Sequence, residues 1–291
     1  MSAITTLGEI LVMSLVESAP LILVAIGFTL LFKLFDFFNI SHGEMMTLGG
    51  YITLVVLNGV GISLFVSIIL AGMLVGVLNI LLYLGVFRTF FQEDYEMINM
   101  IVISLGTAFI LQYAIQMTFG VKAQFFPLGE TLFAYEGITM TTLEGFAIGT
   151  LVVSILGTHY FLTSTKMGRM VRGYADNKRL AFIHGISSLR MGLIVFFIAG
   201  LLGGLGGGFF GDYSYAIPWM GWGQLLTIIA IVIVGGIGNP YGAMLGGFTI
   251  ALVESTVITL AGNQYAVFAS FLILIVVIVL RPKGMLGSEN L

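Results

Sequence analysis

Three glutamates lie within long apolar stretches of the sequence: Glu17, Glu44 and Glu254. An ionised carboxylate is costly in such a stretch, so each is by default a candidate for handling a proton, a cation or a solute. Glu254 lies deep enough in its stretch to act in this way. Glu44 and the nearby His42 lie close to one end of theirs, and we favour the interpretation that they only reach the interface with water. Both remain candidates for a transport pathway or gate.

A stripe of polar and small residues runs along the apolar stretch 97–119. Ser104, Ala108, Gln112 and Gln116 follow one another at intervals of four, which places them on one face of a helix. Such a face is poorly suited to lipid, so we expect it to meet other helices or water. Hydrogen bonding between helices is one explanation. A solute pathway is the other, with Gln112 and Gln116 as its candidate residues.

The sequence contains no pattern typical of catalysis or metal binding. There is no cysteine, and the three histidines are scattered rather than arranged as HExxH. No glycine is followed directly by lysine, so a phosphate-binding Walker loop is absent. We therefore expect a chain that is not an enzyme and binds no cofactor itself.

Composition places the chain in a membrane. Of its 291 residues, 58% are hydrophobic and only 9% are charged, whereas soluble domains carry about 25% charged residues. The 39 glycines favour helices packed closely against one another. The formal net charge of −3 gives no indication of nucleic-acid binding. We expect an all-α, polytopic transmembrane bundle that forms a single domain over residues 1–291.

Nine stretches are candidates for membrane-spanning helices, since a span needs about 20 mostly apolar residues. Two of them are short or interrupted by glycine and are candidates for re-entrant segments, so a total of eight spans is equally acceptable. The candidates lie near residues 9–31, 41–58, 62–86, 97–119, 142–162, 190–211, 223–238, 241–261 and 264–281.

The longest polar and basic segment separates two of these spans. We call residues 163–189 the basic loop, which holds five of the eleven Lys and Arg residues. Its pattern predicts a helix over 166–174, then Asp176 as the N-cap of a second helix that stops at Gly185. The second helix would carry an apolar face with nothing of its own chain to pack against, which predicts a partner protein; this face comprises Leu180, Ala181 and Ile183.

The distribution of basic residues predicts the orientation. If the basic loop is cytoplasmic, alternation of the spans places ten of the eleven basic residues on that side, and only Lys122 lies outside. This satisfies the positive-inside rule. The N-terminus is then outside and the C-terminus inside.

Two interrupted segments occur at corresponding places in the two halves. The first is Asn39–Gly43 (NISHG) followed by Leu48–Tyr51 (LGGY), and the second is Gly238–Gly242 (GNPYG) followed by Leu245–Phe248 (LGGF). Paired interruptions are typical of transporters built from inverted repeats. In a chain this rich in glycine, coincidence is the alternative explanation.

These segments resemble motifs in permeases of the branched-chain amino acid ABC transporter family. Phe38–Glu44 (FNISHGE) is similar to the family's early asparagine–histidine–glycine–acid motif, and Gly235–Ala243 (GGIGNPYGA) to its late glycine-rich turn. The basic loop resembles the family's cytoplasmic coupling segment, and Arg281–Gly284 (RPKG) its closing motif. Gly173 departs from the pattern, because alanine is usual there, and it predicts a less rigid helix.

The resemblance implies roles for particular residues. In that family the coupling segment docks on an ATPase subunit, which here implies Gly168, Arg172, Ala175, Asp176, Asn177, Ala181 and Gly185 as coupling residues. The candidates for the pathway or gate are Asn39, His42, Glu44, Gln112, Gln116, Gly238 and Glu254.

The resemblance also implies an assembly. The partners would be a second, related permease, two ATPase subunits that use ATP and Mg²⁺, and an extracytoplasmic binding protein. The membrane would be the cytoplasmic membrane of a bacterium or archaeon. Substrates would be branched-chain or related small amino acids, with urea or short amides as the alternative.

Two other classes of function compete with this interpretation. An ion-coupled secondary transporter would use a buried carboxylate such as Glu254 and would have no need of a docking loop. A channel or structural subunit would need neither the loop nor the repeated segments.

Overall fold

The computed structural model describes residues 3–92, 96–127, 130–135, 138–213 and 215–287, and most of them are helical. The all-α prediction is confirmed, apart from a small antiparallel hairpin of β1 (Thr131–Tyr135) and β2 (Ile138–Thr141) that the sequence analysis missed. The helices are α1 (Ala3–Phe35), α2 (His42–Val60), α3 (Leu64–Leu82), α4 (Arg88–Gln92), α5 (Met97–Phe119), α6 (Thr142–Ser164), α7 (Lys166–Asp176), α8 (Lys178–Ile183), α9 (Ser188–Tyr213), α10 (Met220–Gly235), α11 (Pro240–Ala261) and α12 (Ala266–Leu280). A π-helical turn, Tyr83–Phe87, joins α3 to α4.

Each of the nine predicted spans coincides with a helix. Within the described residues, six helical segments are long and apolar enough to cross a membrane: those of α1, α3–α4, α5, α6, α9 and α11. The other three predicted spans are α2, α10 and α12, with 19, 16 and 15 residues. Helices of 15 or 16 residues rise only about 23 Å, against ~30 Å of hydrocarbon, so α10 and α12 are shorter than a full span.

Helix α9 lies at the centre of the bundle and packs against α1, α2 and α3. It is rich in glycine, and several of these glycines touch the backbone of a neighbouring helix. A methyl group at Gly207 would overlap the carbonyl oxygen of Met46 in α2, and one at Gly49 of α2 would overlap Gly204. Small residues at such crossings allow helices to approach closely where lipid supplies no hydrophobic driving force.

We predict that Gly207→Ala lowers the free energy of unfolding by about 3 kcal/mol, because the added methyl group forces α2 and α9 apart. Thermal unfolding in detergent measures the change. Gly149→Ala is the matched control, since nothing lies within 4 Å of its added methyl group. Equal stability of the two variants would contradict this account of the central crossing.

Helix α2 begins deep inside the bundle rather than at its end. After α1 ends at Phe35, the chain turns back alongside α1, so that the Phe38 ring lies 4.8 Å from that of Phe32. His42, the first residue of α2, then approaches Val24 of α1, with His42 Nε2 3.1 Å from the Val24 carbonyl oxygen. Val24 precedes Lys33 by nine residues, a rise of about 14 Å along α1. Non-helical backbone at such depth occurs only where protein buries it.

The segments predicted to share one side of the membrane meet at one end of the bundle, which we call the basic end. Lys178 of the basic loop pairs with Asp36 at the end of α1. Lys33 and Arg172 line one cavity together with the turn 237–241. Residues 281–287 pack against the α10–α11 turn through backbone bonds to α10. The predicted grouping of these segments is therefore confirmed.

The opposite end is closed by two chain segments that pair with each other. The backbones of Gln124 and Ala216 exchange two hydrogen bonds of 2.9 and 3.0 Å. The buried ring of Phe126 fills the space above Gly211, where a side chain on the glycine would overlap it. Tyr51 of α2 donates from its hydroxyl to the Ala216 carbonyl at 3.4 Å.

Candidate functional site

Five polar residues at the start of α2 are almost completely buried, and we call them the α2 cluster: Asn39, Ser41, His42, Glu44 and Thr47. Each is at most 1% exposed. The favoured expectation that His42 and Glu44 reach the water interface is therefore wrong. The physical reason is the deep start of α2, which places a motif near the end of an apolar stretch in the interior of the bundle.

The hydrogen bonds of the α2 cluster leave two side chains incompletely satisfied. The Val24 carbonyl can only accept, so His42 Nε2 carries the proton in this contact, and the neutral ring presents Nδ1 as an acceptor. Ser41 donates from Oγ to Asn39 Oδ1 at 2.7 Å. His42 Nδ1 and Asn39 Nδ2 are both buried without a partner among the described residues.

Glu44 adds an unpaired acceptor on a different side of α2 from His42, which faces α1. The Thr47 hydroxyl accepts from the Gly221 backbone N–H at 2.9 Å and bonds to the Glu44 carboxylate. Thr47 thereby caps the first turn of α10 from a different helix. Glu44 Oε2 is buried with no partner among the described residues. Because unpaired buried polar atoms are rare and costly, this cluster is the strongest candidate for contact with a polar solute.

The polar stripe of α5 faces α2. Ser104 Oγ accepts from the Ile40 backbone N–H at 3.1 Å, and the rings of Phe119 and Tyr51 lie 4.7 Å apart. The two helices therefore run side by side in the same direction. Glu44 precedes Tyr51 by seven residues and so shares its face of α2, toward α5.

Burial confirms that the stripe avoids lipid. Ser104, Ala108 and Gln112 are buried, and Gln116, nearer the end of α5, is half-buried. Of the predicted pathway residues, Asn39, His42 and Glu44 lie together in the α2 cluster, with His42 turned toward α1. Gln112 lies on the face of α5 that runs alongside α2.

Glu254 lies at a separate place, with a second acid close by. Ser270 of α12 donates to Glu254 Oε1, and Ser255 donates to Glu17 Oε2 at 3.5 Å. Glu17 is seven residues from Val24 along α1, about 10 Å farther from the basic end. Both acids are half-buried. Sequence reasoning found each acid but not their pairing across α1 and α11.

Gly238 belongs to the turn between α10 and α11 at the basic end. Its φ of +78° is left-handed, which glycine adopts without strain. Asn239 then caps α11 by accepting from Tyr241 N at 3.0 Å. Gly238 lines a cavity with Lys33 and Arg172 rather than joining the α2 cluster. The two repeated segments therefore differ in depth, because α11 begins at the end of the bundle and α2 inside it.

The basic loop forms the two helices that its pattern predicts, with one shift. Asn177, not Asp176, caps α8, since Asn177 Oδ1 accepts from Leu180 N at 2.9 Å. Asp176 instead closes α7, which continues without a break through Gly173. Gly185, with φ +76°, ends α8 as predicted.

Helix α7 is firmly attached to the bundle. Gly168 fits so closely against the Phe161 carbonyl that a side chain there would overlap it, and Val171 is buried. Tyr174 donates from its hydroxyl to Ser188 Oγ at 3.0 Å. Helix α7 is therefore held by its own chain, whereas the expectation of an apolar face with nothing to pack against concerns the second helix of the loop.

Helix α8 presents an exposed apolar surface. Ala181 is turned into the protein, whereas Leu180 is 52% exposed and Phe182 and Ile183 are each 77% exposed. Of the seven predicted coupling residues, Gly168 and Ala181 are buried, Arg172 and Ala175 are half-buried, and Asp176, Asn177 and Gly185 are exposed. The sequence analysis missed Phe182, which lies at the centre of this surface.

Comparison with known families decides the identity. The family model described as branched-chain amino acid transport system / permease component matches residues 10–280. The chain belongs to this family. It is an integral membrane permease component of an ABC-type transport system and not an enzyme, as predicted. Permeases of such systems work with ATPase and substrate-binding partners.

Curated relatives cover nearly the whole permease. The high-affinity branched-chain amino acid permease LivH of Escherichia coli is 24% identical over 92% of this chain and 91% of its own length. A probable LivH of Methanocaldococcus jannaschii is 27% identical over 97% and 94%. The fructose import permease FruF of Bifidobacterium longum is 27% identical over 92% and 76%. No solved structure matches the chain significantly.

Proposed function

We propose that this permease imports branched-chain or related small amino acids as the membrane-spanning subunit of a high-affinity ABC importer. An extracytoplasmic binding protein delivers the solute, a second related permease completes the pathway, and two ATPase subunits supply the energy from Mg²⁺-bound ATP. The observation that carries the proposal is the apolar surface of α8, exposed on a loop whose other helix is fixed to the bundle.

The proposed orientation places the basic end in the cytosol, the N-terminus outside and the C-terminus inside. An ATPase bound to α8 then acts on a helix that is joined to a rigid neighbour, because α7 packs against α1, α6 and α9. The displacement reaches the bundle as a movement of helices rather than as bending of a free loop. In this account the central helices α2 and α9 change position to give alternating access.

The α2 cluster is the proposed contact for solute in transit. A buried carboxylate with a free oxygen suits a cation, and every α-amino acid carries an ammonium group. The free Nδ2 of Asn39 suits an anionic or carbonyl oxygen. This chemistry favours amino acids over the sugar named for FruF, since fructose carries no ammonium group. Urea and short amides, which are neutral, would use Asn39 but gain less from Glu44.

The alternative, an ion-coupled secondary transporter, conflicts with the family membership, although one observation favours it. Glu17 and Glu254 lie close together between α1 and α11, each bonded to a serine hydroxyl. Two acids in such surroundings are suited to binding or relaying a proton.

Uptake into proteoliposomes separates the two candidates. We expect uptake only with the complete complex, the binding protein and ATP on the ATPase side, and we expect it to persist when ion gradients are collapsed. Glu254→Gln should leave this uptake within about twofold of the wild type, because no proton step is required. Uptake driven by a gradient without nucleotide, and lost in Glu254→Gln, would establish the ion-coupled alternative instead.

A further inference from the structure

An ion pair joins the basic loop to the end of α1. Lys178, the first residue of α8, donates from Nζ to Asp36 Oδ2 at 2.6 Å. The two side chains are 44% and 62% exposed. Pairs this exposed contribute little to folding stability. The pair therefore adds little to the stability of the fold, but it joins the first residue of α8 to the residue that follows α1.

Asp36 occupies the point at which α1 turns toward α2. Its φ of +60° makes it the one non-glycine residue in the left-handed region among the residues that the structure describes. This conformation is unfavourable for most side chains, and aspartate is among those that tolerate it best. A residue held in such a conformation marks a place where the surroundings determine the backbone closely.

The segment that connects Asp36 to the α2 cluster is held in place by packing. Phe37 is buried, and the Phe38 ring lies 4.8 Å from Phe32 and 6.0 Å from Phe28. Asn39 follows immediately. A displacement of Asp36 therefore moves the start of the α2 cluster, because the intervening residues are held by packing and cannot absorb it.

The other attachment of the basic loop leads elsewhere. Tyr174 of α7 bonds to Ser188, where α9 begins. The loop thus has one polar link to the central helix α9 and another, through Lys178, to the connection that carries the α2 cluster.

Resting on the proposed function, we infer that the Asp36–Lys178 pair is the link through which movement of α8 on the ATPase reaches the α2 cluster. Both are positioning residues, since neither belongs to the cluster. The sequence gives no indication of this link, because 142 residues separate its two members. Loss of the link uncouples the complex: ATP is hydrolysed, but less solute crosses for each ATP.

Charge reversal tests the link in the reconstituted complete complex. The readout is the number of solute molecules transported per ATP hydrolysed, which a purely structural role would leave unchanged. We expect Asp36→Lys and Lys178→Asp to lower this ratio by roughly tenfold while the ATPases remain bound. The combined swap should recover most of the lost ratio, and the part not recovered measures the effect of a lysine in the left-handed backbone. Asp36→Asn, which tolerates the left-handed backbone, separates the effect of charge from that of conformation and should also lower the ratio.

Arg179→Asp is the matched control, because it makes the same change of charge on the next residue of α8, where the structure records no ion pair. Its ratio should equal that of the wild type. Single reversals with a normal ratio, or a swap no better than either single variant, would overturn the inference alone. A wild-type complex with no ATP-dependent uptake would overturn the proposed function, and this inference with it.

Discussion

Changing Leu180, Phe182 and Ile183 together to aspartate should release the ATPase subunits from the permease. These side chains form the exposed apolar surface of α8. Burying a large apolar side chain in an interface contributes about 1.5–3 kcal/mol. Loss of three such contacts, with carboxylates left in the interface, should weaken binding by at least about 1,000-fold. Retention of the ATPases on the tagged permease after mild solubilisation measures the effect.

The fold itself should survive this triple change, because all three side chains already face outward. Val121→Asp with Leu132→Asp is the control, since both residues are exposed and apolar but lie toward the other end of the bundle. That variant should retain its ATPases. Undiminished retention by the α8 variant would show that the surface is not the dock.

Glu44→Gln should lower amino-acid uptake by at least about tenfold while ATPase binding stays normal. Glutamine has nearly the same shape and can still accept from Thr47, but its amide puts an N–H donor in place of the unpaired oxygen acceptor Oε2. A hydrogen bond to an ammonium group contributes about 1.5–3 kcal/mol to binding. Its loss should therefore weaken binding of the solute by about tenfold or more. Uptake of a radiolabelled amino acid by the complete complex is the measurement.

The matched control for Glu44→Gln is Glu144→Gln. Glu144 completes a capping box with Thr141 at the start of α6, far along the chain from the α2 cluster, and glutamine preserves that box. Normal uptake is expected for this control. Uptake by the Glu44→Gln variant equal to that of the wild type would contradict the proposed contact between Glu44 and the solute.

The positions of the helices follow from composition, but their depth does not. Apolar stretches of about 20 residues must become spans, and the concentration of basic residues in one loop predicts which segments share an end of the bundle. The depth of His42 depends on how residues 36–41 return along α1, which is a property of tertiary packing. The sequence therefore places His42 near the end of a span, whereas the structure buries it inside the bundle.

The part of the candidate site that lies on α5 could be predicted from helical periodicity. The spacing of Ser104 and Gln112 predicts a face turned away from lipid, and burial confirms it. The segment that meets this face at Ser104, just before α2, has no signature in the spacing. Capping is similarly local, so the error between Asp176 and Asn177 is one residue, because both side chains are good N-caps. Contacts between distant segments, such as Thr47 with Gly221, have no local signal.

The most direct test of the account is the sidedness and accessibility of α8. The natural chain contains no cysteine, so Ile183→Cys introduces a single thiol at a position that is 77% exposed. A membrane-impermeant thiol reagent should label it in inverted vesicles only, and labelling should rise when the ATPases are stripped away. Labelling of intact cells or right-side-out vesicles would place this helix on the outer surface and contradict the account.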